Sequence, residues 1–324
     1  MHVAEQKFAA FLRSRPATLL MILTGVAMTV AAPYLGLIPD VPPEGSALVS
    51  LPFSLDVPSW GSALLLIAVM AAMYHINRRY NMLRTTRIVY AGVFMVMCGA
   101  APAPASEAVL SALLALVMLS ATSLYFLLYN RPRDRRKIFL AGVMLGCTVL
   151  LHRAAVLYLP VLIIGLTQMR VFNSRALAAL IIGVLTPAWI IWAIFDADFN
   201  FHISVWNTHI FDFILSPDMW CPLAVVIITL LAGLIMGLMV LIKVFTLNAR
   251  LRALNGFIAI MAVATGIFTI IDYENIYFYV TLLDALVAFQ AAHFFRLNRH
   301  RSGYLSLTLL ILAYIAIYLC PLIL

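Results

Sequence analysis

The sequence predicts an all-α, polytopic membrane protein with about eleven transmembrane helices. Three observations predict it. Of 324 residues, 65% are hydrophobic and only 10% are charged, well below the roughly 25% charge of a soluble domain. Apolar runs long enough to cross about 30 Å of hydrocarbon recur along the whole chain, so 1–324 reads as a single integral membrane domain. Positive charge gathers in short clusters at alternate junctions between those runs.

Taken in order, the first run, 17–38, follows Lys7, Arg13 and Arg15 and lacks a small-x-small cleavage site before Pro33. It reads as an uncleaved first span rather than a signal peptide. A first external loop, 39–59, carries Pro39, Pro42, Pro43, Pro52 and Pro58, whose fixed φ favours a turn-rich path over a helix. Runs at 60–76 and 88–104 flank Arg78, Arg79, Arg84 and Arg87, and the run at 107–129 ends at the basic stretch NRPRDRRK. Runs at 138–151 and 154–169 are short, since about 14 residues of helix reach only about 21 Å. One long tilted helix over 138–169 is the alternative, but it would place Lys243, Arg250, Arg252, Arg296, Arg299 and Arg301 outside. Two crossings are expected, at least one of them short or starting inside a hollow of the protein, because helix ends in lipid leave backbone groups unsatisfied. The remaining runs, 176–195, 220–242, 253–271, 276–294 and 303–323, are separated by an external segment at 196–219 and by short links.

With a cytoplasmic N terminus and eleven crossings, the C terminus is periplasmic, and of the 21 Lys and Arg all but Arg153 fall on the cytoplasmic side. A bacterial inner membrane is the expected location. Acidic residues run the other way: Asp40, Glu44, Asp56, Glu107, Asp196, Asp198, Asp212, Asp218, Asp272 and Glu274 are external. The net charge of +8 is thereby assigned to orientation, not to nucleic acid. Cys98, Cys147, Cys221 and Cys320 lie in or beside apolar runs and form no disulfide framework. No P-loop, dinucleotide fingerprint or HExxH is present.

Arg153, in LLHRAAVLYLP, breaks the charge rule and is the most informative residue. A guanidinium near hydrocarbon must snorkel, pair or face a polar cavity. One reading gives it a phosphate or diphosphate held by bidentate hydrogen bonds, with His152 as second donor or acid/base group. The other readings pair it with an external carboxylate or let it snorkel, with His152 capping the turn. Asp40 and Asp56 read as a general base or metal ligand, or as solvated loop residues.

Within 196–219, Phe199, Ile203, Trp206, Ile210 and Phe213 form an apolar stripe at helical spacing, which predicts an amphipathic helix on the outer membrane surface. Asp198, His202, His209 and Asp212 run along one edge of the stripe, in pairs one turn apart that suit a divalent ion, substrate contact or a plain surface role. Asp272 and Glu274 sit beside Tyr273 and Tyr277, which fits carbohydrate contact and equally an acidic turn closing a helical hairpin. Asp284, the carboxylate within a span, must face protein or water. It suits a proton relay toward His293, a packing hydrogen bond or substrate contact. Small residues from Ala141 to Gly146 and from Gly233 to Gly237 predict close helix approach.

These features resemble multi-pass membrane glycosyltransferases of the GT-C type, through the external acidic loops and the stretch GVMLGCTVLLHRAAVLYLPVLIIGL from Gly142 to Leu166. The layout also resembles inner-membrane proteins of the Bacteroidota, a likeness that implies no activity. The GT-C resemblance implies transfer of a sugar from a polyprenyl-phosphate-linked lipid on the outer side, with Asp40 as base or metal-associated carboxylate and His152 and Arg153 as a phosphate-contacting pair. On the enzyme reading Asp56, Asp272, Glu274 and Asp284 are the candidate substrate-side groups with Arg153, and Asp198, His202, His209 and Asp212 are the candidate ligands of a divalent cation, Mg or Mn. The chain departs from that pattern in lacking a long first external loop, a paired-acid signature and a C-terminal soluble domain. The alternatives are a non-enzymatic subunit with a membrane-protein partner, a proton-coupled transporter and a polysaccharide polymerase.

Overall fold

The computed structural model describes residues 7, 10–12, 14–38, 58–83, 88–131, 133–195, 219–244, 248–297 and 301–323. The first external loop and the amphipathic segment, with Asp40, Asp56, Asp198, His202, His209 and Asp212, lie outside the described residues apart from their edges. Every described element is helical, and a helix occupies each apolar run. They are α1 (Arg15–Ala31), α2 (Ser59–Tyr80), α3 (Val89–Ala100), α4 (Ala105–Leu128), α5 (Arg135–Leu151), α6 (Tyr158–Gln168), α7 (Ser174–Phe195), α8 (Trp220–Val244), α9 (Ala249–Ile271), α10 (Ile276–Leu297) and α11 (Arg301–Ile323). Among the described residues seven helices, α2, α4 and α7 to α11, are long and apolar enough to cross a membrane. The others, α1, α3, α5 and α6, are shorter.

Local chemistry sets the helix ends. Ser14 caps α1 by accepting from the Ala17 N–H at 3.4 Å, with a proline in the first turn where no N–H is needed. Arg78 and Arg79 sit in the last turn of α2, where the helix dipole favours cations, and Asn81 closes it with φ of 47°. Two prolines in the Ala101–Pro104 stretch stop α3 after twelve residues, all of them buried.

Hydrogen bonds between distant helices sort the helix ends into two sets. At one end the Tyr80 hydroxyl donates to the Ser123 carbonyl at 2.7 Å, the Asn130 N–H to the Met169 carbonyl at 3.1 Å, and the Arg296 guanidinium to the Leu83 carbonyl. The C-terminal ends of α2, α4, α6 and α10 therefore lie together. At the other end the Ser111 hydroxyl donates to Thr281 at 2.8 Å and the Tyr318 hydroxyl to the Met28 carbonyl at 3.0 Å, which joins the start of α4 to that of α10 and the end of α11 to that of α1. Arg78, Arg79, Arg131, Arg135, Arg136, Lys137, Arg170 and Arg252 belong to the first end, while Arg153, Glu107, Asp272 and Glu274 belong to the second. Asp134 is the acidic exception at the basic end, and it pairs with Lys137 one turn later.

The Asn130–Met169 bond also decides between one tilted helix and a hairpin over 138–169. The chain enters α5 and leaves α6 at the same level, so the two helices form a hairpin. Its short arm starts inside the protein: Ala154, Ala155 and Tyr158 are buried, and a 3-10 turn at Arg153–Leu157 bridges the gap.

The centre of the bundle is α10, which packs against α2, α3, α4, α8, α9 and α11. Every residue from Ile276 to Phe295 is buried, which a helix achieves only by being surrounded. At the periphery, α7 packs along α5 and leaves Ile182, Leu185, Trp189 and Ile194 exposed, a surface suited to lipid. Small residues set the α5–α7 approach. A Cβ on Gly146 would lie 2.3 Å from the Val184 carbonyl oxygen, and one on Gly142 would lie 2.5 Å from that of Leu180.

Gly146→Val is therefore expected to cost about 1–3 kcal/mol by forcing α7 off α5, read as a lower unfolding temperature in detergent, while Ile182→Val on the exposed face of α7 changes little. The two ends are also testable in a cysteine-free background. Single cysteines replacing Arg135 and Glu274 react with a membrane-impermeant thiol reagent from opposite faces, and labelling of both from one face would refute the alternation.

Candidate functional site

At the acidic end two tight links meet, the α5–α6 link at His152–Leu157 and the α9–α10 link at Asp272–Asn275. His152 breaks α5 because its backbone is extended, with φ of −149° and ψ of 113°. Its Nδ1 then accepts from the Ala154 N–H at 3.3 Å and caps the 3-10 turn that Arg153 begins. The imidazole is fully buried and lies flat on Phe278 of α10, with ring centroids 3.8 Å apart and planes 9° from parallel.

Because Nδ1 accepts, the neutral ring carries its hydrogen on Nε2, and that nitrogen has no hydrogen-bond partner among the described residues. Burial, and after it the neighbouring Arg153 guanidinium, hold the imidazole below its usual value of 6.5, at about 4, with Asn275 opposing the shift. His152 is thus neutral at physiological pH. Its place in the fold is to lock the turn that presents Arg153, which is half-buried.

The second link is held by Asp272. Its Oδ1 accepts from Asn275 Nδ2 at 2.8 Å and its Oδ2 from the Tyr279 hydroxyl at 2.7 Å, so the carboxylate ties the end of α9 to the first turn of α10. Both oxygens are engaged in closing the hairpin, which favours the acidic-turn reading of this residue. Glu274 is half-buried in the same link. Beneath them Tyr158 donates to Thr265 at 3.1 Å and meets Phe268 edge-on, joining α6 to α9.

An apolar groove of about 400 Å³ runs between α5 and α7, lined by Val143, Cys147, Leu150, Leu151, Pro187 and Ile191 among others. Its walls are almost entirely carbon, and Leu151, its last residue on α5, lies two positions before Arg153. An apolar channel on the outer side of the bundle thus ends near a cation.

Asp284 stands apart from this end, eight residues into α10 and about 12 Å along its axis. It is fully buried. Thr229 Oγ1 of α8 lies 3.2 Å from Oδ1 and 2.6 Å from the Tyr314 hydroxyl of α11, and the Cys98 thiol of α3 faces the carboxyl group. A cavity of about 130 Å³ opens above it, bounded by Thr29, Ser62, Cys98, Ser111, Tyr277 and Thr281 among others.

The structure thus brings His152, Arg153, Asp272 and Glu274 to one end, and it leaves Asp284 in the core. Among the described residues no three His, Cys, Asp or Glu side chains gather as a metal site. Thr229 and Tyr314 look in the sequence like ordinary residues of apolar runs, and Cys98 like one of four cysteines in such runs. The clue available was Cys98 beside the helix-breaking APAP stretch, a polarisable group next to a helix end that needs solvation. No family model, no curated protein and no solved structure matches this chain.

The His152 environment predicts an acid limit to stability. The folded ring binds its proton only near pH 4, whereas the unfolded ring binds near 6.5, so the stabilisation is complete above about 6.5 and is lost as pH falls toward 4. The unfolding temperature is expected to drop over that window, and His152→Gln is expected to flatten the drop. An unchanged slope in the variant would show that other groups set the acid limit.

Proposed function

We propose that this chain transfers a sugar from a polyprenyl-phosphate-linked donor at its acidic end, which faces the outside of a bacterial inner membrane. In this reading all eleven helices cross the membrane, the basic end is cytoplasmic by the positive-inside rule, and the C terminus is periplasmic. The observation that carries the proposal is Arg153, a cation at the end opposite the described basic clusters, close to where an apolar groove ends.

Each part of that arrangement has a role. The groove between α5 and α7 is open to lipid and accepts the hydrocarbon tail. The Arg153 guanidinium holds the phosphate by paired N–H donors and stabilises charge that develops on it as the sugar departs. The neutral His152 ring keeps the Arg153 turn rigid, so that binding energy is not lost to ordering the loop.

In the transfer step an acceptor hydroxyl oxygen forms a bond to the anomeric carbon while the bond from that carbon to the phosphate oxygen breaks. The lipid phosphate leaves with the bonding pair, and the hydroxyl proton passes to a carboxylate. Asp40, on the external loop after α1, is the base that the GT-C resemblance suggests.

The test is full-length protein in lipid nanodiscs, incubated with a panel of polyprenyl-phosphate-linked sugars and assayed for release of the lipid phosphate. At least one donor is expected to turn over. Arg153→Ala is expected to bind it roughly tenfold to a hundredfold more weakly, the loss of one charge-assisted contact, with Arg153→Lys in between. No turnover with any donor, together with unchanged lipid binding in Arg153→Ala, would overturn the proposal.

A further inference from the structure

The buried centre of α10 carries a second inference, independent of what Arg153 binds. We propose that Asp284 is a proton-exchanging site, hydrated from the acidic end of the bundle through the cavity that Cys98 lines.

Asp284 has neither lipid nor bulk water around it and a meagre set of partners. The Thr229 hydroxyl owns one hydrogen and has two acceptors, the Val225 carbonyl at 2.9 Å and Asp284 Oδ1 at 3.2 Å. Tyr314, 2.6 Å away, supplies its own hydrogen to Thr229 and does nothing directly for the carboxylate. Oδ2 makes no hydrogen bond of good geometry among the described residues. Beside the carboxyl group lies the Cys98 thiol, a weak donor.

Among the described residues of the packed helices no charged group stands beside it. Along α3 the titratable side chains are Tyr90 and Cys98, and along α11 the one nearby is Tyr314. On α8 the one ammonium is Lys243 at the basic end, and on α9 the cations are Arg250 and Arg252, also at that end. From α4, Glu107 stands in the first turn, and on α2 the ionisable groups run from Tyr74 onward, toward the basic end. On α10 itself His293 and Arg296 are nine and twelve residues further on. A bare carboxylate in such a place is costly, whereas a neutral carboxylic acid or a hydrated carboxylate is tolerable.

Geometry supplies the water. The cavity holds about 130 Å³, room for roughly four waters at about 30 Å³ each, and six of its lining side chains carry hydroxyl or thiol groups. Tyr277 and Thr281 line it from α10, and Asp284 is the next residue inward on that face, three positions beyond Thr281. The cavity exists because α3 stops at Ala100: Ala101, Pro102 and Ala103, which are not helical, form part of its wall. Non-helical backbone at membrane depth is tolerated where it lines water.

Toward the basic end the way narrows. Gln290 points its Oε1 at Gly237, and the cavity beside it holds only about 20 Å³. Cys98 both lines the cavity and meets the carboxyl group, so the proton crosses its thiol: the S–H hydrogen passes to the carboxylate as a hydronium in the cavity returns one to the sulfur, and water remains behind.

Infrared spectroscopy of the full-length protein in lipid tests this directly. A protonated-carboxyl C=O band is expected at low pH, fading as the pH rises and shifting promptly in D2O. It is expected to vanish in Asp284→Asn and to change frequency in Cys98→Ser and Thr229→Val, which keep the carboxyl group and so assign the band even where Asp284→Asn does not fold. Ala108→Trp, which fills the cavity, is expected to slow the D2O shift several-fold with the band retained. A band that ignores pH, or a D2O shift that is equally fast in Ala108→Trp, would overturn the inference, as would a band displaced by sodium rather than by pH.

Discussion

The constraint on which the rest of the structure depends is the burial of α10. From Ile276 to Phe295 every residue is buried, so the polar groups on that helix depend on protein or enclosed water for their partners. Thr281 finds Ser111 of α4, and Asp284 finds Thr229 of α8 and Cys98 of α3. Those pairings fix the rotation of α10 and the depth at which its neighbours sit. Between apolar helices in lipid such contacts matter more than hydrophobicity, because a leucine gains little by exchanging lipid for another leucine.

Two elements depart from full-length helices, α3 packed against α10 and α6 packed against α9. α3 ends early and leaves room above Asp284. α6 begins late, behind a 3-10 turn, and its backbone is held by protein groups: the Tyr125 hydroxyl donates to the Leu162 carbonyl at 3.1 Å. In each case the irregular backbone is enclosed by protein or borders a cavity, the two settings in which a membrane protein tolerates it.

The same packing produces the acidic end. His152 stacks on Phe278 because α5 stops where α10 starts, and Asp272 braces the link that feeds α10. Arg153 is carried on a turn whose shape is set by a buried neutral imidazole. The proposed lipid-phosphate role of Arg153 and the proton exchange proposed at Asp284 thus share one helix but occupy different depths along it.

Sequence by itself determined where the helices lie and which of their ends share a face. Apolar length marks each run, and the sorting of basic from acidic links needs no coordinates, so the hairpin over 138–169 was already favoured by the positions of Lys243, Arg250 and Arg252. What it left open was which helix is central. α10 is no more apolar than its neighbours, and since lipid and protein interior are both apolar, periodicity does not separate the faces that meet them. The grouping of Cys98, Thr229, Asp284 and Tyr314, the stacking of His152 and the double engagement of Asp272 were decided only by tertiary structure. Partners from four helices become neighbours when chain segments 55, 85 and more residues apart pack side by side, and nothing local in the chain encodes that proximity.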